Sequence, residues 1–115
     1  MVNRLSICGI TAEPGERKSG YMRFSDNMGL SSEFPLMIVN GSTDGPIVTV
    51  NAGLHPFEYA GMEAAVRIAI TVDPKDLKGA LLVVPIANLA GFLKLSKTVH
   101  PVDNTNLNRV FPGKQ

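Results

Sequence analysis

The chain has no tryptophan and one cysteine among its 115 residues. A lone thiol excludes an internal disulfide framework and fits a reducing compartment. Cys8 lies in Leu5-Ser6-Ile7-Cys8-Gly9-Ile10, where a small buried apolar role is expected rather than a reactive thiol. Charge of one sign is also missing, since 11 Lys+Arg against 10 Asp+Glu leave a net charge of +1. With no basic run and only 6% aromatic residues, nothing points to nucleic acid as a partner. No apolar stretch approaches the ~20 residues that cross a bilayer, so no membrane partner is expected either. The N-terminus lacks a long apolar run after Arg4 and a cleavage site, so a cytoplasmic location is expected. A phosphate loop ending in Lys-Ser/Thr and a Gly-x-Ser-x-Gly elbow are both absent.

What remains is an ordinary globular composition, 44% hydrophobic and 18% charged. A single domain over residues 1–115 can bury a core, about two-thirds of its unfolded surface. Residues 11–34 read as short strands or loops, with Tyr21-Met22-Arg23-Phe24 the best strand among them. Strands are predicted near 35–40, 46–52 and 80–86 and a helix near 59–71. Asn40-Gly41 and Asp44-Gly45-Pro46 are turn signals, which suggest that the first two of those strands form an antiparallel hairpin. Ile47–Ala52 reads as a buried strand. The helix carries Ala60, Ala64, Ala65, Ile68 and Ala69 at helical spacing, with Glu63 and Arg67 paired on another face. Ala80-Leu81-Leu82-Val83-Val84-Pro85-Ile86 is a continuous apolar run, expected of a strand covered on both faces. Strand, helix, strand at this spacing makes a βαβ core, and the fold class is α/β with a mixed sheet.

The most informative stretch is Gly53-Leu54-His55-Pro56-Phe57-Glu58-Tyr59-Ala60-Gly61. A histidine and a glutamate three residues apart at a strand-to-helix junction can turn an imidazole nitrogen and a carboxylate to one point. That is half of a zinc site of the His₂Glu kind, in which three protein groups bind the metal and a fourth position stays open. The junction lies past the carboxyl end of a strand, where open α/β sheets place their ligands. Gly53 permits close backbone approach there, and Gly61 lets the helix begin tightly against the sheet. A plainer alternative stays open on these residues alone: His55 as a satisfied surface histidine, Glu58 as a first-turn acid favoured by the helix dipole.

Asn108 and Arg109 form a second cluster. The planar guanidinium matches a carboxylate in a two-pronged contact, and asparagine adds a directed hydrogen bond. A surface loop arginine is the alternative. Asn88 follows the last strand and either lines the same cleft or caps a loop. His100 has only Asp103 as an acidic neighbour at ligand spacing and reads as structural.

In this order the segments resemble the succinylglutamate desuccinylase/aspartoacylase family, zinc deacylases related to the zinc carboxypeptidases. Residues 39–61 look like that family's first metal-binding segment. Leu77-Lys78-Gly79-Ala80 through Val84-Pro85-Ile86-Ala87-Asn88 looks like its next strand and asparagine-bearing loop. Pro101-Val102-Asp103, followed by Asn106-Leu107-Asn108-Arg109-Val110-Phe111-Pro112-Gly113, resembles its most specific motif. The resemblance implies His55 and Glu58 as zinc ligands and a zinc-carboxypeptidase-like fold. It also implies Asn108 and Arg109, with Asn88, as the groups that hold a small acyl-amino-acid substrate.

The chain departs from the family pattern in places. Asp103-Asn104 stands where an Asp-Gly is usual, a change that asparagine's tolerance of the left-handed conformation accommodates. Lys97 and Thr98 stand where an arginine is common, which puts one substrate contact in doubt. His55-Pro56-Phe57-Glu58 replaces His-Gly-Asp-Glu and keeps both ligands. The family's second zinc histidine and catalytic glutamate have no counterpart here, since His100, Glu13, Glu16 and Glu33 fall in no matching context. The expectation is therefore the amino-terminal portion of a zinc-dependent deacylase domain, inactive alone. The alternative is a short non-catalytic module that binds carboxylates or regulates. An open sheet edge would favour association between copies.

Overall fold

Leu81 and Val83 face one way from the central strand, Leu82 and Val84 the other, and these two sets seed the two halves of the core. The computed structural model describes residues 2–25 and 31–113. Its elements are β1 (Leu5–Ile7), β2 (Ile10–Ala12), β3 (Glu16–Ser25), β4 (Ser31–Asn40), β5 (Thr43–Asn51), α1 (Tyr59–Thr71), β6 (Lys78–Val84) and α2 (Leu89–Leu93). A 3-10 turn over Leu107–Arg109 follows. The main sheet runs β3-β4-β6-β5, antiparallel except for the parallel β5–β6 pair, and β1–β2 make a separate hairpin. This is the mixed α/β sheet that the sequence predicts.

Alternation explains the layers. On one face Val83 packs with Ala65 and Ala69 of α1, flanked by Met37, Val50 and Leu81. On the other, Leu36, Ile38 and Val84 pack with Ile10 and Ala12 of the hairpin. Residues two apart along a strand share a face, so one apolar run serves both layers. Buried Asn40 ties the hairpin down through its Nδ2, which donates to Asn3 O at 2.9 Å and Ala12 O at 3.0 Å.

Several expectations need correction. β4 and β5 do not form a hairpin, because β6 lies between them. The glycines that read as turn residues make room for that strand. A side chain at Gly41 would collide with the carbonyls of Leu77 and Gly79, and one at Gly79 (φ +90°) with the carbonyl of Pro46. β5 is not buried either. It is the open edge of the sheet, and Ile47 and Val48 are exposed. The buried stripe of α1 is Met62, Ala65 and Ala69, whereas Ala60, Ala64 and Ile68 face outward. Glu63 and Arg67 do pair, at 2.7 Å. No atom lies within 4 Å of where a Gly61 side chain would start, so that glycine is not needed for close packing. Cys8 is exposed, in the tight β1–β2 turn with φ +48°.

Residues 16–25 form one long strand, not short pieces, and it carries a helix cap from afar. Arg17 donates from Nε to Ala69 O and from Nη2 to Val72 O, each at 2.6 Å. The last turn of α1 has no basic residue of its own, and Arg17 supplies the positive charge that its free carbonyls favour.

Candidate metal centre

The loops that follow β5 and β6 are laced together by backbone. Ala52 N donates to Val84 O, Ala87 N to Ala52 O and Asn88 N to Gly53 O, each at 2.9 Å. Gly53 has φ +70°, and a side chain there would stand 2.8 Å from Ile86 Cα. The close approach read from the sequence is real, and it is to the chain's own backbone. Pro56 is fully buried and sits against Gly91 of α2, where an added side chain would come 2.9 Å from Pro56 and from Asn88. The loop bearing His55 is thus clamped from below.

Above that floor, Glu58 N donates to His55 O at 3.2 Å, a turn that brings both side chains to one side. Glu58 is the residue before α1, and its carboxylate does not cap the helix. It meets His55 instead, with Oε2 2.7 Å from Nδ1. The imidazole is 20% exposed and the carboxylate 57%. Both residues line an open cleft of about 720 Å³, together with Asn51, Leu54, Phe57 and Tyr59. A nitrogen and a carboxylate oxygen are a donor set that suits zinc, with contacts of roughly 2.0–2.2 Å. Their separation of 2.7 Å is that of a hydrogen bond, shorter than two ligands of one ion take. Among the described residues, no three His, Cys, Asp or Glu side chains gather at one point. The residues present fit two positions of a metal shell.

The second cluster arrives by a different route. The loop from His100 to Thr105 closes on itself: His100 N donates to Thr105 O at 2.9 Å and Asn104 N to His100 O at 2.8 Å. Asn104 takes φ +56°, the left-handed conformation its residue type tolerates. Asp103 Oδ1 accepts from Thr105 N at 3.0 Å. That backbone N–H, together with the Thr105 side chain, holds the Asp103 carboxyl below its ordinary pKa of 3.8. His100 Nδ1 accepts from Val102 N at 3.2 Å.

The loop delivers Asn106, whose Oδ1 lies 3.0 Å from His55 Nε2 and accepts from Asn108 N at 3.0 Å. Asn106 caps the 3-10 turn that holds Asn108 and Arg109. Those two side chains are exposed, and among the described residues none pairs with the Arg109 guanidinium. The structure therefore brings His55, Glu58 and the Asn108–Arg109 turn into one assembly. Asn88 is only 1% exposed and its Oδ1 accepts from Gly91 N at 3.0 Å, so it caps α2 beneath the loop. Among the described residues its Nδ2 has no hydrogen-bond partner. Sequence reasoning gave Asn106 no role. The available signal was an asparagine two places before Asn108, the spacing of a side chain that bonds backbone two residues on.

The family model of the succinylglutamate desuccinylase/aspartoacylase catalytic domain matches residues 44–115. The N-alpha-acetyl-L-2,4-diaminobutyric acid deacetylase of Halomonas elongata is 33% identical over 70 residues, 61% of this chain and 20% of that protein. A succinylglutamate desuccinylase/aspartoacylase of Rhodobacter sphaeroides superposes with TM-score 0.70 at 29% identity, over 85% of this chain and 30% of that one. The product-bound ectoine utilization protein of Ruegeria pomeroyi gives TM-score 0.71 at 26% identity, over 98% of this chain and 34% of that one. The chain thus spans a fifth to a third of the length of these relatives.

Proposed function

Since the chain belongs to the succinylglutamate desuccinylase/aspartoacylase family, we propose that it supplies one side of the site of a zinc-dependent hydrolase. The bond cleaved is the amide of an N-acyl amino acid. The observation that carries the reading is the hydrogen bond from His55 to Asn106, which joins the two clusters across 51 residues.

In this reading His55, through Nδ1, and Glu58 hold the metal. Bound zinc supplies Lewis-acid polarisation of the scissile carbonyl and lowers the pKa of a water. Arg109 takes the substrate carboxylate in its fork of donors, and Asn108 adds a further hydrogen bond. Both project from a short turn fixed to the His55 ring, so the carboxylate is held at a set distance from the metal ligands. Asn88, buried and capping α2, serves the loop's foundation rather than the substrate. No general base is assigned within this chain. Glu13 pairs with Arg4 at 3.5 Å, Glu33 with Arg23 at 3.0 Å, and Glu16 accepts from Glu13 N at 3.0 Å. With two metal ligands and no base assigned among the described residues, this reading gives the chain by itself no appreciable turnover.

Zinc titration of the wild-type chain and of His55→Ala tests the metal assignment. The wild type binds more tightly. Equal affinities would remove His55 from the site.

A further inference from the structure

The sheet face that carries the β1–β2 hairpin is only half covered. Ile10 and Ala12 of the hairpin pack on Leu36 and Ile38 of β4. On the other side of that face, Thr49 pairs with Leu82 and Asn51 with Val84, and paired neighbours in a sheet share a face. With Ala87 past the end of β6 and Ile7 on the hairpin side, these four line an apolar slot of about 270 Å³. Among its described lining residues only Thr49 and Asn51 are polar, and none is charged. Asn51 and Leu54 line this slot and also the cleft that His55 and Glu58 line. Slot and cleft thus adjoin at the carboxyl end of β5.

We infer that the slot is an acyl subsite, and that the acyl group it takes is a short, uncharged alkyl chain. The inference rests on the reading of the cleft as a deacylase site. An N-acyl amino acid carries its carboxylate and its acyl chain on opposite sides of the scissile amide. With the carboxylate at Arg109 and the carbonyl beside His55 and Glu58, the chain has to leave the cleft on another side. The slot offers apolar space there, and its size falls just under the roughly 300–1,000 Å³ of pockets for drug-sized ligands, so a chain of a few carbons fills it. An alkyl chain gains by leaving water for such a lining. A terminal carboxylate, as on a succinyl group, would be stripped of water and meet no cation.

The test titrates the N-acetyl, N-butanoyl, N-hexanoyl and N-succinyl forms of one amino acid into the 115-residue chain with zinc(II), followed by methyl and backbone amide shifts. Affinity rises about fourfold per added methylene from acetyl to hexanoyl, and the succinyl form gains nothing over acetyl. The longer chains move the methyls of Leu54, Leu82 and Ala87. Ala87→Leu, which fills the slot, flattens the series. If that variant fails to fold, the wild-type methyl shifts still decide. A flat wild-type series, or a chain that moves Val66 and Phe92 instead, overturns the inference; the deacylase reading then stands as long as the Arg109 amide responds. If no form moves the Arg109 amide, that reading is overturned and the inference falls with it.

Discussion

His55 Nε2 and Asn106 Oδ1 are 51 residues apart along the chain and 3.0 Å apart in the fold. The contact ties the loop after β5 to the turn after α2. Each segment is separately braced, the first by Pro56 and Gly53, the second by the closed 100–105 loop.

Hydrolysis of N-acyl amino acids by the zinc-loaded chain is expected to stay at background. A positioned general base contributes roughly 10²–10⁴-fold to such reactions, and none is assigned here. The assay compares release of amino acid with and without a chelator. Robust, chelator-sensitive turnover would force a search for a base among Glu13, Glu16 and Glu33.

Arg109→Lys should weaken binding of an N-acyl amino acid about tenfold or more, since lysine cannot reproduce a two-pronged, charge-assisted contact. Ligand titration followed by backbone amide shifts measures it. Unchanged affinity removes Arg109 from the carboxylate site.

Arg17→Ala should destabilise the fold by about 1–3 kcal/mol, because the carbonyls of Ala69 and Val72 lose a charged donor. Urea unfolding gives the value. An unchanged midpoint would mean that water satisfies that helix end equally well.

Asp103 gives a pH dependence with a definite sign. Its folded pKa lies below the unfolded value, chiefly through the Thr105 backbone N–H. The stability it adds is therefore present above the ordinary carboxylate value and is lost as pH falls through the folded one. In Asp103→Asn that acid-side loss should disappear, as read from the 100–105 amide resonances between neutral and strongly acidic pH. An identical titration in the variant would assign the effect to another group.

The apolar runs made the strands and α1 legible in the sequence, because burial imposes a period that can be read directly. Strand order was not legible. Asn40-Gly41 has the chemistry of a turn, and nothing local distinguishes a glycine that turns from one that lets Leu77 and Gly79 pass close by. The exposure of β5 was hidden for a related reason, since Ile47–Val50 is equally apolar whether a strand is central or at an edge. In the site, His55 and Glu58 were visible because they are three residues apart. Asn106 was not, because its importance comes from a partner 51 residues away.

The place of β6 has a consequence for how the chain acquires its shape. β6 follows β4 and β5 in sequence yet lies between them in the sheet, so those two strands gain their shared neighbour only once Val84 is available. Pairings of such sequence separation close slowly, after the entropy of a long loop has been spent. On a ribosome, everything up to Asp76 emerges before the strand that joins it, with both of its future neighbours presenting unpaired backbone. A nascent chain halted there would hold the β3–β4 pair but no continuous sheet, and α1 would lack Val83 to pack on. The floor beneath His55, which depends on bonds to Val84, Ala87 and Asn88, would be missing from it.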